Sequence, residues 1–254
     1  MHFRKLLFLW ILVFSFQGST VFAHEVLLIL DPGHGGSDHG GWSGDGFKFG
    51  NGYVAEDAYT FDVAKRVEAK AKEKGWVVAF TVRDKLVSDH VADSDEYNIL
   101  PPRRNLIFNL PLPYEIVHRG RDGLGKRLSV TRRLNREYRG AIQIFVSLHI
   151  DLTEPYVQGM HIFTGGIKNS NEFAESIIRE AREQGLGFRV RSEEKPMINE
   201  KAHLYVLRRG VITPRVLIEL GNFYNPRDQL LILRSEGREK YAEVIANAIE
   251  DYVK

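Results

Sequence analysis

The pattern of apolar and polar residues predicts buried strands that alternate with helices. Residues 25–30 form an almost continuous apolar run that stops at Asp31-Pro32-Gly33, which is typical of a strand inside a parallel sheet. Residues 56–74 repeat apolar side chains at helical spacing, and Gly75 closes that predicted helix. A second apolar run at 76–82 predicts the next strand. The chain therefore begins with a strand–helix–strand unit.

The rest of the chain continues this alternation. Further strands are predicted at 142–148, 158–164, 204–208 and 216–220, and further helices at 129–139, 171–184 and 239–252. We therefore expect a three-layer α/β fold, with a mostly parallel sheet and helices on both faces. The glycine-rich residues 33–52 are predicted to form only loop. Residues 84–128, rich in proline and glycine, are predicted to be an insertion with little regular structure, either a lid or a partner surface.

The first 23 residues have the layout of a secretory signal peptide. Arg4 and Lys5 precede an apolar run at 6–16, and small residues follow up to a cleavage point after Ala23. The apolar run is about half of the ~20 residues that a membrane-spanning helix needs, although an uncleaved anchor or a buried strand remains the alternative. We expect residues 24–254 to be one exported domain without a stable membrane span. The lack of an evident wall-binding repeat favours the periplasm over the cell exterior.

The amino-acid composition limits the binding partners and metal ligands that are possible for this chain. The 35 basic and 33 acidic residues differ by two, and Arg4 and Lys5 account for that difference, so the remainder is neutral and gives no sign of nucleic-acid binding. There is no cysteine, which excludes disulfides, thiol nucleophiles and cysteine-based zinc sites. Any metal ion must therefore be held by histidine, aspartate or glutamate.

Four side chains are expected at one edge of the predicted sheet, because open α/β sheets place their sites beyond the carboxyl ends of the strands. His34 and His149 follow two predicted strands, Glu219 lies near the end of another, and Glu56 opens the first helix. Two imidazoles and one carboxylate make a zinc site with a position open for water, and a further carboxylate can act as general base.

Each of these residues also has a structural explanation. A histidine at a strand end is often held by hydrogen bonds, and Glu56 at a helix start favours the helix dipole. Glu219 is harder to explain in this way, because a carboxylate in a buried strand is costly unless it is paired, hydrogen-bonded or bound to metal. Arg132 and Arg133 either bind a substrate carboxylate or cover a helix face. The other histidines have no assigned role: His39, His90, His118, His161 and His203.

Four motifs in order resemble the blocks of the zinc-dependent N-acetylmuramoyl-L-alanine amidases, the amidase type 3 family. They are LDPGHGG at 30–36, EDAYTFDVA beginning at Glu56, SLH at 147–149 and VLIELGNFYNP at 216–226. The resemblance implies a twisted, mixed sheet of about six strands. It also implies a peptidoglycan substrate, which is cut between the lactyl group of N-acetylmuramic acid and the L-alanine of the stem peptide.

The resemblance also assigns roles. His34, Glu56 and His149 would bind Zn²⁺, Glu219 would be the catalytic acid and base, and Arg133 would contact substrate. Asp151 stands where the family commonly has asparagine. Two other functions stay open, namely a zinc peptidase that acts on the stem peptide and a non-catalytic wall-binding regulator. The need for a protein activator is also open.

Overall fold

The computed structural model describes residues 25–41, 46–50, 52–85, 100–111, 113–186, 198–200 and 203–254. The predicted signal peptide, residues 1–23, lies outside the described residues. No helix in the described ranges combines the length and the apolar character that crossing a bilayer requires.

The described residues contain ten strands and six helices. The strands are β1 (Val26–Pro32), β2 (Phe47–Phe49), β3 (Gly52–Val54), β4 (Val77–Phe80), β5 (Val82–Asp84), β6 (Leu106–Phe108), β7 (Ile142–Asp151), β8 (His161–Phe163), β9 (Ile198–Asn199) and β10 (Arg215–Asn222). The helices are α1 (Glu56–Glu73), α2 (Gly120–Glu137), α3 (Lys168–Glu183), α4 (Tyr205–Arg209), α5 (Pro226–Leu233) and α6 (Ser235–Val253).

Six strands form the central sheet in the order β4-β1-β7-β10-β8-β9. The first four run parallel, β8 is antiparallel to β10, and β9 is parallel to β8. This mixed, mostly parallel sheet confirms the predicted fold class. It also brings the carboxyl ends of β1, β7 and β10 to one edge of the sheet.

Both faces of the sheet are buried. In β1, Leu28 and Leu30 pack into the core beneath α1, α3 and α6, whereas Leu27 and Ile29 face the core beneath α2 and α4. All four side chains are fully buried, which explains why the sequence of β1 is continuously apolar rather than alternating. The molecule therefore has the expected three layers.

Two predictions of secondary structure were wrong for lack of tertiary information. The predicted strand at 204–208 is the short helix α4, because Val206 and Leu207 pack against the underside of the sheet and a short apolar run suits either conformation. Within the predicted glycine loop, β2 and β3 form a hairpin whose Phe47 ring stacks on Phe223 at 4.9 Å. That packing partner is 176 residues away in the sequence.

The insertion at 84–128 is more regular than predicted. It contributes β6, which pairs with β5, and its last nine residues are the first half of α2. The start of α2 was not predicted, because its glycines are poor helix formers. Gly123 is required there, since a Cβ atom would lie 2.2 Å from the carbonyl oxygen of His118. Close approach between the helix and the preceding segment explains the glycine.

Candidate metal centre

Three predicted ligands meet at the carboxyl edge of the sheet. His34 follows β1, Glu56 is the first residue of α1, and His149 lies near the end of β7. His34 Nε2 is 3.1 Å from Glu56 Oε2, and His149 Nδ1 is 3.3 Å from Glu56 Oε1. One potential ligand atom from each residue lies within 4.8 Å of the other two, a spacing that a single metal ion can bridge.

The glycines around His34 make this convergence sterically feasible. A Cβ atom on Gly33 would lie 2.5 Å from the His149 ring, and one on Gly40 would lie 2.2 Å from Glu56 Oε2. His34 itself has a φ of 63°, in the left-handed region that is uncommon for residues other than glycine. Strain of this kind concentrates at functional sites.

Neighbouring groups orient the three side chains. His34 Nδ1 donates to Asp38 Oδ2 at 3.0 Å, because an ionised carboxylate can only accept, so Nε2 is the nitrogen that faces Glu56. The backbone N–H of Ile150 donates to Glu56 Oε1 at 2.8 Å. Such contacts from outside the ligand set fix the tautomer and rotamer of metal ligands.

The electrostatics favour a bound cation. Burial alone lowers the pKa of His34, but the carboxylates of Glu56 and Asp38 outweigh it and raise that pKa to about 10. Burial raises the pKa of Glu56, yet the imidazoles of His34 and His149 hold it well below its usual range. Glu56 is therefore ionised, and once a metal ion displaces the imidazole proton, a donor set of two imidazoles and one carboxylate fits Zn²⁺.

The loop that carries His34 is stabilised by a buried ion pair that the sequence did not reveal. Arg127 in α2 donates to Asp31 Oδ1 at 2.7 Å and to the Pro32 carbonyl at 2.8 Å, and it also contacts the His34 carbonyl. Asp31 and Arg127 are both buried. The position of Asp31 at the end of an apolar strand was a visible signal, but its partner lies 96 residues away.

Glu219 on β10 lies beside His149 in the sheet. In the register of the strands it is opposite His149 on β7 and opposite His161 on β8. Opposed residues in neighbouring strands share one face, so the three side chains lie side by side. Glu219 also lines one cavity together with His34, Glu56 and His149. His161, which had no predicted role, is buried there, and only strand pairing brings it to Glu219.

A family model described as N-acetylmuramoyl-L-alanine amidase, of the amidase type 3 family, matches residues 28–251. The chain belongs to this family. The family predicted from the four motifs is thereby confirmed.

Two curated relatives are described as amidases. A germination-specific N-acetylmuramoyl-L-alanine amidase of Bacillus subtilis is 24% identical over 226 residues, covering 88% of this chain and 76% of that protein. An uncharacterized cell wall amidase of Bacillus anthracis is 27% identical over 229 residues. The match covers 89% of this chain but only 35% of the longer protein.

Solved amidase structures share the fold. The N-acetylmuramyl-L-alanine amidase Ami1 of Mycobacterium smegmatis superposes with a TM-score of 0.64 and 22% identity, covering 91% of this chain and 98% of the other. The CwlD amidase of Clostridioides difficile, solved in complex with the GerS lipoprotein, superposes with a TM-score of 0.60 and 21% identity. That match covers 89% of this chain and 97% of the other.

Arg133, which the resemblance to the amidase family pointed to, is placed away from the three ligands. Its Nη2 donates to the Asn109 carbonyl at 3.0 Å, and its Nη1 lies 3.5 Å from Glu137. It does not line either of the two cavities beside the ligands within the described part of the chain. These contacts fasten α2 to the segment after β6, and a contact with substrate stays a prediction. The neighbouring Arg132 is exposed.

Two cavities adjoin the triad of His34, Glu56 and His149. The first, of about 300 Å³, is open and contains Glu219, Phe47 and Leu152 beside the ligands. The second, of about 270 Å³, is more enclosed and lies between the sheet and α2. His34 and His149 line both cavities, so the two cavities meet at these side chains.

Proposed function

We propose that the protein is a zinc-dependent hydrolase of peptidoglycan. It would cleave the amide between the lactyl group of N-acetylmuramic acid and the L-alanine of the stem peptide. The observation that supports this most directly is the convergence of His34, Glu56 and His149 in one cavity with Glu219. Membership of the amidase family supplies the substrate class.

The residues of the site have different roles in the proposed reaction. His34, Glu56 and His149 would hold Zn²⁺, which supplies Lewis acidity towards a water molecule and the lactyl carbonyl. Glu219 accepts a proton from the attacking water as its oxygen bonds to the carbonyl carbon. Glu219 then gives that proton to the alanine nitrogen as the C–N bond breaks. The products are a lactyl carboxylic acid and a stem peptide with a free amino terminus.

Glu219→Gln tests the assignment of the acid and base. We expect this variant to retain zinc but to lose about 100- to 10,000-fold in activity, the range for removing a general acid–base group. His34→Ala should lose both zinc and activity, since it removes a ligand. Purified sacculi are the substrate, mass spectrometry identifies the products, and elemental analysis gives the zinc content.

Glu172→Gln, an exposed glutamate on α3, is the matched control and should behave as the wild type. Intact stem peptides with a free L-alanine amino terminus would support the amidase. Shortened peptides would instead indicate a peptidase, and the absence of any product would indicate a wall-binding regulator. Normal activity in Glu219→Gln would show that another group moves the proton.

Export and a protein activator are further parts of this proposal. A cell-wall substrate requires export, and the basic and apolar pattern of residues 1–23 supports a signal peptide, with the periplasm as the destination. The solved CwlD amidase was captured with a lipoprotein, which supports the existence of a partner for this chain as well. Fractionation of cells that express the full chain tests the compartment.

A further inference from the structure

The enclosed cavity beside the triad has walls of a different character from the open one. Five apolar side chains line it, and His34 and His149 stand at its junction with the open cavity. The apolar residues come from the insertion, α2, α4 with the residue before it, and β10, and they are Val117, Leu124, Leu204, Val206 and Leu217. A short apolar group can therefore be buried within reach of the metal ligands.

Arg119, at the rim of this cavity, has N–H donors available for a further hydrogen bond. Arg119 is half exposed, its Nε lies 3.4 Å from Asp38 Oδ1, and its Nη2 donates to the Gly41 carbonyl at 3.2 Å. A guanidinium carries five N–H groups in a planar fork, so these two contacts leave donors for a further acceptor.

The other charges in the cavity are already balanced. Arg127 is matched by Asp31 at 2.7 Å, and Asp38 is shared with His34. A divalent cation on the triad would add further positive charge. With a divalent cation on His34, Glu56 and His149, the cavity would combine an apolar wall with a positive end at Arg119, which suits a small apolar group followed closely by a carboxylate.

We propose that the enclosed cavity binds the stem peptide. The L-alanine methyl group would lie against the apolar wall, and the free α-carboxylate of the second residue, a side-chain-linked D-glutamate, would pair with Arg119. The inference rests on the proposed function, because it assumes that the scissile amide lies at the triad.

The two cavities also differ in what they can hold. A glycan strand is a polymer that continues in both directions, so it needs a groove that is open at both ends. The stem peptide is a single branch and can enter an enclosed pocket. Leu217 and Glu219 are alternate residues on one face of β10, the first in the enclosed cavity and the second in the open one. Glu219 is thus within reach of a bond between the two.

The experiment compares two soluble substrates that differ only at the carboxylate. These are N-acetylmuramoyl-L-alanyl-D-glutamate and its α-amide, N-acetylmuramoyl-L-alanyl-D-isoglutamine. The wild type should prefer the free acid by about fivefold to tenfold, mainly through KM. Arg119→Gln should bring that ratio to about one without changing the zinc content, and Arg119→Lys should restore part of the preference.

Arg121→Gln is the matched control, since Arg121 is an exposed arginine two residues further along the chain and does not line the cavity. It should keep the wild-type ratio. If Arg119→Gln slowed both substrates equally, Arg119 would act only by positioning Asp38, and the proposal would be overturned. An unchanged ratio in Arg119→Gln would overturn it too.

Binding of the free dipeptides separates this inference from the proposed function. Calorimetry should show L-alanyl-D-glutamate binding to zinc-loaded wild type at least fivefold more tightly than L-alanyl-D-isoglutamine, and the difference should vanish in Arg119→Gln. Cleavage of neither substrate with this binding difference intact would refute the hydrolase but retain the peptide site. Cleavage without any dependence on the carboxylate would support the hydrolase but refute the peptide site.

Discussion

Asp38 shows how a single side chain outside the ligand set can control the metal site. It accepts from His34 Nδ1 and from the Gly40 N–H, so the imidazole is held with Nε2 towards Glu56. We expect Asp38→Ala to lower zinc affinity about 10- to 100-fold, as loss of such an orienting carboxylate generally does.

Competition with a chromophoric chelator of known zinc affinity measures this effect. Glu172→Ala is the control, because Glu172 is exposed on α3 and belongs to no candidate metal-binding group among the described residues. Equal zinc affinity in wild type and Asp38→Ala would mean that the backbone of the glycine loop alone orients His34.

At the scale of residues, the sequence predicts the site residues that belong to a motif, but it does not predict those that reach the site only through tertiary packing. His34, Glu56, His149 and Glu219 all stand at strand or helix ends where sheet topology predicts a site. The side chains of His34, Glu56 and His149 do meet, and Glu219 lines one cavity with them, but the roles of all four stay proposals. Residues that act through tertiary contact carry no comparable signal in their neighbours along the chain. Arg127 and His161 are of this kind, since helix and strand packing alone bring them to the site.

Among the elements, α2 depends on one glycine and merely tolerates another. Gly123→Ala should destabilise the protein, because its Cβ would lie 2.2 Å from the His118 carbonyl oxygen and must push the preceding segment away. Gly125→Ala has no heavy atom within 4 Å of the new Cβ. It should stabilise the helix by up to about 1 kcal/mol, the difference in helix propensity.

Urea unfolding of the two variants gives their free energies of unfolding directly, and each serves as the control for the other. Because His118 and Arg119 border the enclosed cavity, Gly123→Ala should also raise KM for a stem-peptide substrate. Equal stability of the two variants would show that the contact at Gly123 relaxes without cost.

Long elements with a clear repeat of apolar residues were predictable from the sequence. Short elements whose conformation depends on tertiary packing were not. β1 and α1 follow from their apolar pattern and the glycine after the helix. The hairpin of β2 and β3 is hidden by its glycines and is stabilised by packing of Phe47 on Phe223. Helix α4 is five residues long, and only its position beneath the sheet decides its conformation.

For the whole molecule, the buried pair of Asp31 and Arg127 predicts a dependence of stability on pH. Burial raises the pKa of Asp31, but Arg127 and the hydrogen bonds from Thr81 and Ser147 outweigh it, so the folded-state pKa is lowered. A lowered folded-state pKa stabilises the protein above the unfolded-state pKa near 4, and this contribution is lost as the pH falls through the folded-state value.

Asp31→Asn should therefore cost about 3–5 kcal/mol at pH 7, because it leaves Arg127 buried without its counter-charge. The difference from wild type should shrink as the pH is lowered below 4. Urea unfolding of metal-free protein between pH 7 and pH 3 measures it, with Asp122→Asn as an exposed control. A difference that stayed constant over this range would exclude ionisation of Asp31 as the cause.

The fold has one further consequence, which concerns how specificity diverges in this family. The backbone amides of Gly36 and Ser37 donate to the carbonyls of Arg103 and Val117, so the insertion packs against the loop that carries His34. Arg119, the proposed contact for the stem peptide, thus lies in a different segment of the chain from the proposed metal ligands and from Glu219. Grafting residues 100–119 from a homologue should exchange the preferred cell-wall chemotype and leave the hydrolytic step as it was.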